Sequence, residues 1–210
     1  MRLPPLYPLV DVEVCRARGH DPLRVLAAFL DGGARVIQLR DKDPSSGARL
    51  GLADAAVALT HAAGARLIVN DRADLARMCG ADGVHVGQDD LSVEDVRRIT
   101  GTGLIVGVST HDAAQLAAAA ATTADYVAVG PIYGTATKDT GYTARGLDLV
   151  RHGRRLGKPL VAIGGITLER APEVIAAGAA SVAVISDLLA GGDPAARVRA
   201  FLDSLSHRRV

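Results

Sequence analysis

RVIQLRDKDPSSGARLGLADAAVALTHAAGARLIVND, residues 35–71, holds two short β-branched runs on either side of one long segment of helical period. RVIQLR (35–40) and RLIVN (66–70) read as buried strands, and 46–63 between them reads as a helix. A strand, a crossover helix and a second strand form a parallel unit. The same unit recurs to the end of the chain. Further strand-like runs are LYPLVD (6–11), GVHVG (83–87), LIVGVS (104–109), YVAVG (126–130), PLVAIG (159–164) and SVAVIS (181–186). Further helices are expected at about 21–31, 72–79, 92–100, 112–122, 146–156, 169–177 and 194–206.

Start and stop signals agree with this division. Asp21-Pro22 and Asp193-Pro194 place a capping carboxylate ahead of a proline at the first helical position. Gly32-Gly33, Gly64, Gly80, Gly157 and Gly178 stand where helices should end. Strict alternation demands a parallel sheet covered by helices, and eight units in 210 residues fit a single (β/α)8 TIM barrel spanning 1–210. An open doubly wound sheet is the alternative. A six-stranded sheet would leave two clear runs unexplained, and no G-x-G-x-x-G follows the first strand.

Composition narrows the class. Apolar residues make up 49%, with no Trp, two Phe and four Tyr, so the core must be Ala, Val, Leu and Ile. The formal charge of +1 provides no general basic face, which argues against nucleic acid as a partner. The N-terminal MRLPPLYPLVD lacks a signal-peptide stretch, and the Ala-rich run 113–121 is too short to span a bilayer. Cys15 and Cys79 stand alone and read as reduced, buried thiols. A soluble cytoplasmic protein without membrane attachment is expected, and a homo-oligomer is compatible with it.

In a TIM barrel, function gathers at the C-terminal ends of the strands. Those ends carry Asp11, Gln38, Arg40, Lys42, Asn70, Asp71, Asp90, Ser109, His111 and Lys138, whereas the opposite ends carry no comparable set. Gln38, Arg40 and Lys42 alternate, so they point the same way, either into a solvated loop or towards an anion. Asp71 and Asp90 close neighbouring strands. Two carboxylates completed by water and phosphate oxygens describe Mg²⁺. The competing reading makes Asp71 a helix cap and Asp89-Asp90 a capping pair. Their position on one rim beside Arg40 and Lys42 favours the metal.

Arg40, Lys42 and Lys138 suit a pyrophosphate, although TATKDTG (135–141) alone reads as an ordinary surface loop. Gly164-Gly165 and Ile185-Ser186 follow strands seven and eight, where backbone N–H groups cradle a phosphate in such barrels. Ser186 adds a hydroxyl there. Two anion pockets are therefore expected, one metal- and Lys/Arg-based, the other neutral and made of backbone. His85 reads as facing the barrel or packing structurally, His111 as structural with a catalytic role the alternative, His61, His152 and His207 as surface residues and His20 as loop. Neither a G-x-S-x-G elbow nor a Cys–His pairing supports covalent catalysis.

QLRDK (38–42), VND (69–71), GVHVGQDD (83–90), GVSTH (107–111), GPIYGTATK (130–138), AIGGIT (162–167) and VIS (184–186) together closely resemble the thiamine-phosphate synthase family. The resemblance covers essentially the whole chain. It implies a barrel that joins a hydroxymethylpyrimidine diphosphate to a thiazole phosphate and releases pyrophosphate. On this likeness Gln38, Leu39, Arg40, Asp41, Lys42, Asn70, Ser109 and Lys138 bind the pyrimidine diphosphate. Thr135, Ala136, Thr137, Gly165, Ile185 and Ser186 bind the thiazole phosphate. Asp71 and Asp90 hold Mg²⁺, and Arg40, Lys42, Lys138 and Ser109 form the catalytic set of a dissociative reaction.

Where the family often has a second Lys after the T-x-T-K segment, this chain reads TKDTGYTARG (137–146). The nearest rival is the related thiazole tautomerase, which relies on a His near the end of strand five, close to His111. A tautomerase needs no acid pair, and both Asp71 and Asp90 are present here. A non-catalytic regulatory barrel would have lost ligands, and none is missing.

Overall fold

The computed structural model describes residues 3–134 and 141–206. Eight parallel strands follow one another around a closed barrel: Leu6–Asp11 (β1), Val36–Arg40 (β2), Arg66–Asn70 (β3), Gly83–Val86 (β4), Ile105–Thr110 (β5), Tyr126–Val129 (β6), Leu160–Ile163 (β7) and Ser181–Val184 (β8). Closure comes from pairing of β1 with β8, Tyr7 opposite Ala183. The (β/α)8 reading holds, and closure excludes the doubly wound sheet. Each strand lies within two residues of its expected run, because a buried parallel strand is a near-continuous β-branched segment.

The covering helices are Val12–Ala17 (α1), Pro22–Asp31 (α2), Ser46–Ala62 (α3), Ala73–Met78 (α4), Val93–Thr100 (α5), Ala113–Ala120 (α6), Gly146–Gly153 (α7), Ala171–Ala176 (α8) and Pro194–Ser206 (α9). The expected caps form: Asp21 Oδ1 accepts from Arg24 N at 2.9 Å, and Asp193 Oδ1 from Ala196 N at 2.9 Å. Two elements were not expected from sequence, α1 and a 3-10 turn at Ser186–Leu189. Both are too short to show a helical period. Asp11 accounts for the first, since it ends β1 and its Oδ1 caps α1 by accepting from Val14 N at 3.1 Å. No helix among the described residues is long and apolar enough to cross a membrane.

Alternation along the strands divides the interior into two cores. Outward positions such as Ile37, Leu39, Leu67 and Val69 pack with the helices. Inward positions such as Tyr7, Val36, Ile68, Tyr126, Val161 and Ala183 fill the barrel. The ring of Tyr126, fully buried, lies across the barrel at the level of Gly107, where an added Cβ would stand 2.1 Å from the ring. Because that ring has no room to retreat, Gly107→Ala should destabilise the fold by about 3 kcal/mol, as overpacked cores do. Urea unfolding monitored by circular dichroism measures it, and an unchanged midpoint would contradict this packing.

Candidate active site

Parity decides which side chains of residues 38–42 reach the barrel mouth. Gln38 and Arg40 stand on the inward side of β2, in register with Val36. Arg40 Nη1 holds Asp11 Oδ2 at 2.6 Å across the β1–β2 pair, where Asp11 and Arg40 are direct partners. Leu39 instead faces the helices as part of the outer core, and Asp41 turns back to accept from Asp43 N at 2.9 Å. Leu39 and Asp41, expected as ligand-binding residues, thus direct their side chains away from the mouth, and only their backbone can serve a ligand there.

Lys42, just beyond the strand, ion-pairs with Asp71 through Nζ and Oδ2. Asp71 does not cap α4. That position belongs to Arg72, which makes no side-chain capping bond. Asp71 instead has φ +66°, the one positive value at a non-glycine among the described residues. Its backbone N–H donates to His85 O at 2.7 Å, so the turn is pinned to β4. Asp tolerates this left-handed geometry better than most residues, and strain of this kind concentrates at functional sites.

Asp90 is not the cap of α5 either. Ser92 Oγ accepts from Asp95 N, while Asp90 Oδ2 accepts from Gly87 N at 2.7 Å and closes its own loop. The Asp71 and Asp90 carboxyls lie near enough to shift each other's protonation. Burial pushes Asp71 up, but its bond to Lys42 and the Lys42 charge hold it below the usual carboxylate range. Asp90 is raised, by desolvation first and then by the Asp71 charge. The two carboxyls beside the Lys42 ammonium offer an all-oxygen donor set. Such hard donors fit Mg²⁺. Among the described residues no group of three His, Cys, Asp or Glu is clustered for a metal.

Ser109, at the end of β5, is the hinge between this acid corner and a cavity of about 460 Å³. Gln88 Nε2 from the acid-bearing loop donates to Ser109 O at 2.6 Å. Ser109 Oγ meets His85 Nε2 at 2.8 Å, so His85 does face the barrel. The far wall of the cavity is formed by Gly164, Gly165, Ile185 and Ser186. Gly164 and Gly165 have φ +103° and +62°, and added Cβ atoms would lie 2.6 Å from Pro131 and 2.5 Å from Gly134 O. Only glycine lets the backbone turn this tightly against the 130–134 loop.

The cradle is not neutral, contrary to expectation. Arg18 Nη1 donates to Ser186 O at 2.9 Å and Arg170 Nη1 to Gly165 O at 2.9 Å, and both guanidiniums line the cavity. Arg170 also lies over the Tyr133 ring at 4.6 Å. Arg18 follows α1, the helix that short sequence patterns do not reveal, and Arg170 sits at the cap position of α8. His111 lines the same cavity with Nδ1 bonded to Gly130 O at 2.7 Å and its ring stacked on Tyr142. Asn70 ends β3 at 8% exposure, opposite His85. Thr135, Ala136, Thr137 and Lys138, like His207, lie outside the described residues.

A barrel with an acid pair and a phosphate-type turn on one rim is common to several chemistries, and the comparisons with known proteins choose among them. The family model for thiamine monophosphate synthase matches residues 6–188. The chain belongs to the thiamine-phosphate synthase family. Within this family it is 46% identical over 195 residues to the thiamine-phosphate synthase of Roseiflexus castenholzii, spanning 92% of this chain and 86% of that protein. It is 45% identical over 202 residues to the thiamine-phosphate synthase of Methanoculleus marisnigri, spanning 96% of this chain and 95% of that protein. The solved thiamine phosphate pyrophosphorylase from Pyrococcus furiosus superposes with a TM-score of 0.87 at 28% identity, covering 97% of this chain and 96% of that one. The family resemblance read from the motifs is thereby established.

The acid pair has a measurable consequence for stability. A carboxyl raised by folding contributes stability below its unfolded value and loses it as pH climbs through the folded one. Asp90→Asn cannot ionise and keeps an oxygen for Gly87 N, so in metal-free buffer at pH 7 its melting temperature should rise by about 2 °C. At pH 3 wild-type Asp90 already carries its proton, and the gain should vanish. Calorimetric melting at the two pH values checks the sign.

Proposed function

We propose that this chain catalyses thiamine phosphate formation by condensing 4-amino-2-methyl-5-hydroxymethylpyrimidine diphosphate with a thiazole phosphate, releasing pyrophosphate. The observation that carries the reading is the meeting, on one rim of a family barrel, of the Asp71–Asp90–Lys42 corner with a cavity ending in the Gly165 and Ser186 turns. The first suits a diphosphate and the second a monophosphate. Ser109 stands between them, where the two substrates would meet.

In this reading Arg40 and Lys42 bind the diphosphate oxygens, with Arg40 oriented in advance by its bond to Asp11. Gln38 and Asn70 hold the pyrimidine. Asp71 and Asp90 would hold Mg²⁺, which when bound supplies charge neutralisation on the diphosphate. The C–O bond to the diphosphate breaks with its electron pair leaving on oxygen, where the fixed cations of the rim stabilise the growing charge. The pyrimidine methylene cation is then captured by the lone pair of the thiazole nitrogen, which forms the new C–N bond. No side chain acts as nucleophile. Lys138 joins the leaving-group cations, and Thr135 to Thr137 join the monophosphate pocket, by family likeness. Cys15 and Cys79 are both free thiols, in keeping with a cytoplasmic site of action.

The deciding assay uses purified protein with each substrate alone and with both, with and without Mg²⁺. Pyrophosphate release that requires all three components is expected. Isomerisation of the thiazole substrate alone would point instead to a tautomerase using His111, and no reaction at all to a regulatory barrel. Lys42→Ala should lower turnover by about 10²-fold. Ser186→Ala should raise KM for the thiazole phosphate by about tenfold, the effect of one lost hydrogen bond to a charged group, with KM for the pyrimidine substrate unchanged.

A further inference from the structure

Five side chains cross the barrel beneath the cavity in one continuous line, and the reaction above uses only the two at its ends. Gln38 Nε2 donates to Tyr7 OH at 3.2 Å. Tyr7 OH and Tyr126 OH are 2.9 Å apart, Tyr126 OH and His85 Nδ1 2.9 Å, and His85 Nε2 and Ser109 Oγ 2.8 Å. Tyr7 and Tyr126 are 1% and 0% exposed, Gln38 and His85 4% and 7%. His85 stacks on Tyr126 with 24° between the planes, and Tyr7 meets Tyr126 edge-on. The line is thus walled in, and Ser109 alone of the five opens on the cavity.

Burial of a hydroxyl proton without an acceptor costs about 1–3 kcal/mol, so the protons of this line must be ordered. An amide nitrogen can only donate. With Gln38 Nε2 against it, Tyr7 oxygen accepts, and its own proton goes to the Tyr126 oxygen. The Tyr126 proton then goes to His85 Nδ1, which places the imidazole N–H on Nε2, donating to Ser109 Oγ. Ser109 is left with its proton for the cavity. If the Gln38 carbonyl faced Tyr7 instead, every proton would run the other way and the Ser109 hydroxyl would be spent on His85. Burial raises both phenols above their ordinary range, so each keeps the proton that the ordering needs.

We propose that Tyr7, Tyr126 and His85 are positioning residues whose hydrogen-bond line ties the polarity of the Ser109 hydroxyl to the orientation of the Gln38 amide. Ser109 is thereby presented as a donor to an acceptor atom of the pyrimidine diphosphate. This rests on the assignment of that substrate to Gln38 and Ser109 made above. Gly107 has a part in it, since only a glycine leaves room for the Tyr126 ring that carries the middle link.

A double-mutant cycle on the full chain tests it, read as the Kd of the pyrimidine diphosphate by titration calorimetry. Tyr126→Phe keeps the ring and its packing but breaks the line, and should weaken binding about tenfold. Ser109→Ala should weaken it similarly, and the double variant should be no weaker than Ser109→Ala alone, because Tyr126 acts through Ser109. KM for the thiazole phosphate should not move. Tyr7→Phe breaks the line one link earlier and should repeat the pattern, which keeps the test alive should Tyr126→Phe fail to fold. Additive losses, equal losses for both substrates, or unchanged binding would overturn the proposal. A wild type that binds the diphosphate with this coupling but does not condense it would overturn the proposed reaction and leave the line standing. A competent wild type with additive variants would do the reverse.

Discussion

Closure of the parallel ladder is the constraint from which the rest of this molecule follows. Once β1 pairs with β8, no strand has a free edge, all eight C-terminal ends share one rim, and period-two alternation assigns every strand residue to the inside or the outside. A barrel of eight strands has an interior wide enough only for side chains. Small inward residues, Gly83, Gly107 and Ala128, must therefore alternate with large ones, Tyr7, Ile68 and Tyr126. The absence of Trp and the scarcity of Phe fit this geometry, because a taller aromatic core would force the barrel apart.

The acid corner shows what the scaffold must withstand. Asp71 and Asp90 repel, and the chain adopts an unfavourable backbone angle at Asp71 to bring its carboxyl to Lys42. Neither acid serves a helix: α4 and α5 form without either as a cap. Backbone strain and like-charge repulsion of this kind are expected where ligand binding, rather than stability, has shaped a site.

Much of this was legible in the sequence. Eight buried strands announce themselves as β-branched runs between glycines, and their register then fixes where Gln38, Arg40, Asp71 and Ser109 must stand. The motif 38–42 is contiguous in sequence, yet strand parity splits it, so Leu39 and Asp41 part company with their neighbours. That split follows from alternation alone and could have been read. Arg18 and Arg170 could not. Arg18 hangs from α1, too short for a periodic signal, and Arg170 precedes α8, which is legible, but the reach of either side chain back over a strand end depends on how its helix is set on the barrel. Tyr7 and Tyr126 lie between: two phenols at inward positions imply partners, although only the closed barrel shows that they partner each other.

The cations of the rim differ in how they are held, and the difference bears on what each can do. Arg40 is largely buried against Asp11, itself 4% exposed, and the planar fork retains further donors after that bond is made. Its partner also caps α1, so the pair is fixed from two sides. Lys42 is about half exposed, 49%, and its single ammonium must choose among Asp71, solvent and a ligand. Stabilisation of a leaving group requires charge that is in place before the bond breaks. In the proposed reaction Arg40, already fixed against Asp11, would meet that condition. In the proposed reaction Lys42 would meet it only once Asp71 had been given another cation, so that a cation neutralising Asp71 and Asp90 would also release Lys42 towards the diphosphate.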